Sequence, residues 1–288
     1  MKSAQATVSK VLNYSCVDGP GNRLVVFLQG CNFNCRSCHN PHTIGLCNHC
    51  GDCVPACPHK ALMLIDGKVD FVPHNCDQCD ACLKACSINA NPMVQIMSVE
   101  SVLARLLEHH LMLDGITLSG GEATLQADFI VALFSAIKAD VRLRHLSCFI
   151  DSNGQLGRAA WQRLLPITDG VLLDIKAIDI QLHQALTGRP NQRVMQSLST
   201  LHQARRLHEL RYLVIPGFTD QPSEVQALAE LVLSLDANIP VRLNAFQHHG
   251  VIGPAREWPK ARQHDIQVIV QQLQQAGVRE IITPAVYV

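Results

Sequence analysis

Charge of either sign is not in excess in this sequence: 24 lysines and arginines face 24 aspartates and glutamates over 288 residues. That balance argues against a basic surface for nucleic acid and against a polybasic membrane patch. Long apolar runs are missing too, and none approaches the length of a membrane span. Met1 to Asn13 mix polar and apolar residues and lack the continuous apolar centre of an export signal. These absences predict a soluble, cytoplasmic protein, with neither nucleic acid nor membrane among its partners. With 48% of its residues hydrophobic, the chain has enough apolar mass for one large α/β barrel-like domain or two smaller ones.

The cysteines depart from this plain profile. There are 13, and all but Cys148 precede residue 90. An odd count, tight spacing and no export signal argue against a disulfide framework. In a reducing compartment such groups bind metal.

Three zones follow. Residues 1–45 hold the apolar run Leu24–Leu28, read as a buried strand that ends at Gly30, just before the first cysteines. Residues 46–92 are cysteine-dense and poor in long periodic segments, which suggests an inserted module folded around cofactors. Residues 93–288 alternate strand-like apolar runs with helical patterns, the signature of βα units and a parallel sheet. Ser98 is placed as the cap of a helix reaching Leu111. Strands are predicted at Gly115–Leu118, His145–Ile150, Val171–Leu173, Arg211–Ile215, Val241–Leu243 and Ile281–Ile282. Helices are expected around Phe129–Lys138, Trp161–Leu165, Arg193–His208, Ser223–Leu235 and Ile266–Gln275. About six such units suit a partial (β/α)6 barrel, formed by 1–45 with 93–288, better than a closed eightfold one. No sequence repeat or low-complexity stretch interrupts the alternation. In βα barrels the chemistry sits at the C-terminal ends of the strands. Polar or glycine-rich patches fall there at Cys31–Cys38, Ser119–Glu122, Asp151–Gly154, Asp174–Lys176, Pro216–Asp220 and Asn244–Gly250.

Cys31, Cys35 and Cys38 supply three thiolates from one loop. Cubane [4Fe–4S] clusters usually take four cysteines, so three leave one iron open, and metal sites that do chemistry keep an open position. Spacing alone also admits a zinc site with His39 as fourth ligand. The surrounding motifs add to this. Val17-Asp18-Gly19-Pro20-Gly21, Gln29-Gly30-Cys31, Cys38-His39-Asn40, Ser119-Gly120-Gly121-Glu122, Asp151-Ser152-Asn153-Gly154, Asp174-Ile175-Lys176 and Pro216-Gly217 with Asp220 occur in order. The set resembles the radical S-adenosylmethionine (SAM) superfamily, in particular the activating enzymes of glycyl radical enzymes, and in its detail the YjjW-type activases. The resemblance covers nearly the whole chain.

The resemblance implies a partial (β/α)6 barrel and a cluster on Cys31, Cys35 and Cys38 whose open iron chelates the methionine part of SAM. It places Asp18 with these cysteines among the catalytic residues. It implies cofactor contacts from Ser37, Cys38 and His39, and from Ser119, Gly120, Gly121 and Glu122 near the methionine amino group. It extends them to Asp151, Ser152 and Asn153, and to Asp174, Ile175 and Lys176. Asp151 and Asp174 would face the sulfonium region, with a monovalent cation also held around these positions, and Lys176 would pair with the SAM carboxylate or ribose. One position departs: where an aromatic–His–x–x–Gly segment is usual, the chain reads Phe246-Gln247-His248-His249-Gly250. The SAM-contacting histidine is then assigned to His248 or His249.

The insert repeats a pattern. Cys47, Cys50, Cys53 and Cys57, followed by Pro58, are matched by Cys76, Cys79, Cys82 and Cys86, followed by Ser87. This is the spacing of a two-cluster ferredoxin-like module, in which the fourth cysteine of each run ligates the other cluster. One [4Fe–4S] cluster would use Cys47, Cys50, Cys53 and Cys86, the other Cys76, Cys79, Cys82 and Cys57, giving three clusters in all. A zinc ribbon is the alternative. Such a module would relay electrons to the SAM cluster or help dock a partner. Cys148, mid-strand, reads as a small buried hydrophobe, and Cys16 takes no role.

The activity expected from the resemblance is reductive cleavage of SAM to a 5′-deoxyadenosyl radical, which abstracts a hydrogen from a glycine of a partner glycyl radical enzyme. The reductant is expected to be a flavodoxin or ferredoxin, and the protein a monomer. The alternatives are radical SAM chemistry on another peptide or small molecule, and a ferredoxin-type electron carrier without catalysis.

Overall fold

Residues 4–284 are described by a computed structural model, and the chain falls into two units. One comprises Met1–Asn32 and Asn40–Cys148, the other Phe33–His39 and Phe149–Val288. The cysteine-dense segment 46–92 lies wholly within the first.

In the first unit, strand β1 (Gln5–Ser15) lies antiparallel on β2 (Arg23–Leu28), with Val11 opposite Val26. The unbroken apolar run makes β2 a central strand, and Leu24, Val25, Val26 and Leu28 are fully buried. A hairpin of β3 (Leu62–Ile65) and β4 (Lys68–Phe71) turns at Asp66 and Gly67, both at positive φ, the backbone that a two-residue hairpin turn needs. Helix α1 (Ala81–Ala85) follows, then β5 (Gln95–Ser98), antiparallel to β1. Ser98 caps helix α2 (Val99–His109), its hydroxyl accepting from the Ser101 N–H at 3.2 Å. Strand β6 (Gly115–Gly120) runs parallel to β2, so this unit's strands stand in the order β6-β2-β1-β5. Helix α3 (Ala127–Ala139) buries Phe129, Ile130, Leu133, Phe134 and Ile137 along one stripe.

Strand β7 (Ser147–Ser152) enters the second unit at Phe149. There follow α4 (Arg158–Leu164), β8 (Gly170–Ile175), α5 (Ile180–Thr187), α6 (Gln192–Gln203) and β9 (Leu207–Val214). The chain continues through α7 (Pro222–Leu235), β10 (Val241–Ala245), α8 (Gln263–Ala276) and β11 (Ile281–Ile282). Strands β7 to β11 pair in sequence order, all parallel. This α/β alternation places Asp151–Gly154, Asp174–Lys176, Pro216–Asp220 and Phe246–Gly250 at the carboxyl ends of their strands. Among the described residues no helix is long and apolar enough to cross a membrane.

Three local features differ from the sequence reading. The helix expected to reach His208 ends at Gln203, because Arg205 adopts a left-handed backbone (φ 55°) and Leu207 and His208 already belong to β9. Strand β1 occupies the opening stretch of mixed polarity. Helix α5, capped by the Asp179 carboxylate on the Leu182 N–H at 2.7 Å, was not foreseen.

Candidate active site

The three-cysteine loop begins in the first unit. There the Gly30 N–H donates to the Thr43 carbonyl at 2.8 Å and the Cys31 N–H to that of Ile44 at 3.1 Å. The Gln29 amide clamps the same segment, donating to the carbonyls of His42 and Gly45. Next to it, β6 ends in Ser119-Gly120-Gly121. Gly120 has φ 125°, and a Cβ there would lie 2.1 Å from the Leu28 carbonyl oxygen, so this approach of two backbones requires glycine. Ser119 is buried. The Glu122 carboxylate accepts from the N–H and hydroxyl of Thr124 and caps the turn that follows.

Asp18 is placed by a side chain that sequence reasoning passed over. Arg23 is completely buried. Its guanidinium donates to Thr117 Oγ1, the Ile116 carbonyl, the Pro20 carbonyl, and the Ser147 hydroxyl and carbonyl, at 2.6 to 3.0 Å. The Thr117 hydroxyl in turn donates to the Asp18 carbonyl at 2.6 Å, and Ser15 Oγ donates to Asp18 Oδ2 at 2.5 Å. The Asp18–Gly21 loop is thereby stapled to β6 and to the start of β7. The available signal was a lone arginine opening an otherwise apolar strand. Cys16, just before this loop, is exposed.

In the second unit, the Asn34 and Arg36 N–H groups donate to the carbonyls of Thr187 and Leu186, which pins the cysteine loop to the end of α5. Cys35 and Ser37 line a narrow cleft with Lys176, Leu186, Thr187, Leu213 and Ile215. Burial pushes the Cys35 thiol up to about 11; Lys176 opposes this, while Cys38 and Asp174 add to it. Lys176 Nζ contacts Asp174 Oδ2 at 2.7 Å. Burial alone would lower the lysine, but Asp174, Cys35 and Asp151 together hold it well above its ordinary value. Arg211 on β9 reaches Asp151 at 3.3 Å and Glu209 at 2.9 Å. Lys176 and Arg211 are thus each paired with carboxylates. Ile175 is buried. Ser152 Oγ and Asn153 Oδ1 accept from the N–H groups of Gly154 and Gln155 and shape the loop after β7.

His39 and the segment after β10 meet within this unit. The His39 ring stacks at a tilt on Phe246, and burial lowers its pKa against a hydrogen bond to the Gln247 backbone. His39 Nε2 is buried with no partner, and so is Gln247 Oε1, whose amide nitrogen is used by the Ala261 carbonyl. His248 Nε2 lies 2.7 Å from the Trp258 carbonyl, and His249 is exposed. The unsatisfied polar atoms therefore belong to His39 and Gln247, while His248 is already engaged. Buried polar groups are usually paired, and these two atoms have no protein partner.

In the insert, the repeat of the sequence is a repeat of backbone geometry. The N–H groups of His49 and Gln78 donate to Cys47 and Cys76 Sγ, both at 3.4 Å, and both residues have positive φ. The N–H groups of Ala61 and Ala90 donate to Cys57 and Cys86 Sγ at 3.2 and 3.3 Å. Cys47, Cys50, Cys53 and Cys86 line one small cavity of about 10 Å³. No three His, Cys, Asp or Glu side chains among the described residues close on a point for a single ion; these four thiols stand around a space instead. Cys82 is pushed up to about 11, by burial first and by Cys53 and Cys57 among its neighbours. The apolar core here is small: its buried members are Cys53, Leu62 and Cys82. Such a core needs further cross-links to hold a fold, and the thiols of Cys47, Cys57, Cys76 and Cys86, each accepting a backbone N–H, suit iron–sulfur groups. Cys148, on β7, is fully buried.

The radical SAM superfamily model matches residues 25–232 of the chain. The isethionate sulfite-lyase activating enzyme of Desulfovibrio desulfuricans is 31% identical over 252 residues, covering 79% of this chain and 79% of that one. The pyruvate formate-lyase-activating enzyme of Streptococcus mutans is 30% identical over 230 residues, 79% of this chain and 72% of that one. Among solved structures, QueE from Escherichia coli superposes with a TM-score of 0.55 at 12% identity, over 97% of this chain and 94% of that one, a likeness of fold. The family match over most of the chain and the similarity to these relatives mean that the chain belongs to the radical SAM superfamily and, within it, to the activating enzymes of glycyl radical enzymes.

Proposed function

We propose that this protein activates a glycyl radical enzyme, and that it carries two further iron–sulfur clusters in its insert. A [4Fe–4S] cluster on Cys31, Cys35 and Cys38 would supply one electron to bound SAM, giving methionine and a 5′-deoxyadenosyl radical that takes a hydrogen from a glycine Cα of the partner. The remaining roles belong to the chain itself. The Asn34 and Arg36 backbone bonds to α5 hold the cysteine loop still. Gly120 keeps side chains away from the turn after β6. Lys176, paired with Asp174 beside Cys35, offers a fixed cation to a carboxylate and a fixed anion to a sulfonium, at little reorganisation cost. His39 Nε2 and Gln247 Oε1 offer one ring nitrogen and one acceptor to SAM, in place of the histidine usual in the family. Asp151 and Asp174 are the candidates for a monovalent cation.

The observation that carries this reading is the grouping of Cys35, Ser37 and Lys176 around one narrow cleft, on a chain whose relatives are activating enzymes. In the insert, Cys47, Cys50, Cys53 and Cys86 would hold one cluster and Cys57, Cys76, Cys79 and Cys82 the other, fed by a flavodoxin or ferredoxin.

The test is anaerobic. The reduced protein, given SAM and a partner enzyme deuterated at glycine Cα, is expected to release deuterated 5′-deoxyadenosine. An electron paramagnetic resonance (EPR) doublet from unlabelled partner should collapse on deuteration. SAM cleavage with label transferred only to a free peptide or metabolite would overturn the target, and no cleavage at all would overturn the chemistry.

A further inference from the structure

The two cysteine sets of the insert differ in what they touch. The strap from Thr43 to Cys47 is held on one side by Gly30 and Cys31, whose N–H groups donate to Thr43 and Ile44. On its other side the Gly45 N–H donates to the Asn89 carbonyl at 3.0 Å, and Ala90 bridges to both Thr43 and Gly45. The Ala90 N–H donates to Cys86 Sγ. Both ends of this arrangement reach one cavity: the strap runs directly into Cys47, and Ala90 binds Cys86, two of the four cysteines that line it. The counterpart of Ala90 in the other half is Ala61. Its N–H donates to Cys57 Sγ, but its carbonyl accepts from Val72, beyond the hairpin strand β4. The hairpin serves both sets, since Val69 of β4 also lines the first cavity and gives its N–H to His49; the bonded route to Cys31 starts from the first set.

We infer that the cysteines at Cys47, Cys50, Cys53 and Cys86 form the inner station, wired to Cys31 through the Thr43–Cys47 strap and Ala90. The set at Cys57, Cys76, Cys79 and Cys82 would then be the outer station, one step further from Cys31 along these bonds, where a low-potential one-electron donor of the flavodoxin or ferredoxin type delivers its electron. Electron tunnelling falls steeply with distance and is carried better by covalent and hydrogen bonds than by gaps. The path from Cys86 Sγ through the Ala90 N–H to the strap, and from Ile44 to the Cys31 N–H, is a chain of such bonds. One electron enters at the outer set and one leaves at Cys31; no proton moves and no bond to the protein is made or broken. Gly45 is the positioning residue of this contact. A Cβ on it would lie 2.2 Å from the Ile88 carbonyl oxygen, so any side chain pries the strap from the 88–90 segment.

The inference rests on the two-set ligation proposed above, and the experiment separates the two. Fully reconstituted enzyme is reduced without SAM, its iron is counted, and the spin relaxation of the Cys31 cluster is read by EPR. In the parent, a neighbouring paramagnet is expected to speed that relaxation. Cys50→Ser is expected to abolish the enhancement and Cys79→Ser to keep it. The reverse pattern overturns the inference, whereas iron for a single cluster in the parent overturns the ligation itself. Should either cysteine variant shed all the insert's iron, Gly45→Ala decides, because it leaves every ligand in place. With full iron content it is expected to weaken the enhancement, and an unchanged enhancement refutes the wiring.

Discussion

Replacing Arg23 by alanine removes five hydrogen bonds from the interior of the first unit. Bonds to a charged donor contribute about 1.5–3 kcal/mol each, but a sum over five overshoots. The Pro20 and Ser147 acceptors are only partly buried and regain water in the variant. The Ile116 carbonyl and the Thr117 hydroxyl are buried, and each deprived group costs about 1–3 kcal/mol. The packing lost around a fully buried side chain adds to this, so the expected loss is about 4 kcal/mol. For a chain of this size that corresponds to a fall of roughly 8–16 °C in Tm. Bound clusters break two-state unfolding, so parent and variant are compared at equal iron loading, by anaerobic thermal melts. Arg23→Met separates hydrogen bonding from shape, since it keeps an apolar stem of similar length. It is expected to lose nearly as much as the alanine variant. Arg23→Lys, with one ammonium in place of a five-donor fork, should fall between. A methionine variant within about 1 kcal/mol of the parent would refute the staple and leave Arg23 as packing alone.

Cys35→Ala, which removes one of three thiolates from the loop, is expected to abolish 5′-deoxyadenosine release. Cys79→Ala should keep part of it when a strong small-molecule reductant replaces the donor protein; chromatography of the nucleoside product distinguishes them. Glu224 is buried and accepts from the N–H groups of Ile178 and Asp179 and the Tyr212 hydroxyl. Glu224→Gln is expected to lose about 2 kcal/mol, roughly 4–8 °C in Tm, through the loop after Lys176. His183 is fully buried with its ring on the Arg189 carbonyl, and burial lowers its pKa. The folded chain keeps it neutral while the unfolded chain protonates it below about 6.5, so its contribution is complete above that pH and is lost as pH falls toward the lowered value. Melting curves from about pH 7.5 to 5.5 should fall more steeply for the parent than for His183→Gln; equal slopes would refute the assignment.

The parts of the fold that sequence disclosed are those in which one residue property decides the structure. Leu24–Leu28 is apolar at every position, and only a strand covered on both faces accepts that. Strand β1 alternates irregularly and its register shifts near Lys10 and Ser15, so no period marks it. Helix α5 is eight residues long, too short for a periodic pattern to rise above its neighbours. The overrun of α6 has a specific cause: arginine is a good helix former, and nothing in the sequence announces that Arg205 adopts a left-handed backbone.

The site divides along the same line. Candidate ligands that come from one loop, such as Cys31, Cys35 and Cys38, or from a repeated spacing, such as the eight cysteines of the insert, are legible because metal binding asks for a set spacing along the chain. Residues that work through long-range contacts leave no such mark. Arg23 binds Ile116, Thr117 and Ser147, and Gly45 is constrained by Ile88 and Asn89; neither neighbour set is near in sequence. The segment after β10 shows the difference within one stretch. Motif reading favoured a histidine and so passed from Gln247 to His248 and His249. Burial instead isolates Gln247 Oε1 and leaves His248 bonded to Trp258. A glutamine carbonyl without a protein partner can accept a hydrogen bond there as an imidazole nitrogen can, and the motif alone does not show which polar atoms the fold leaves open.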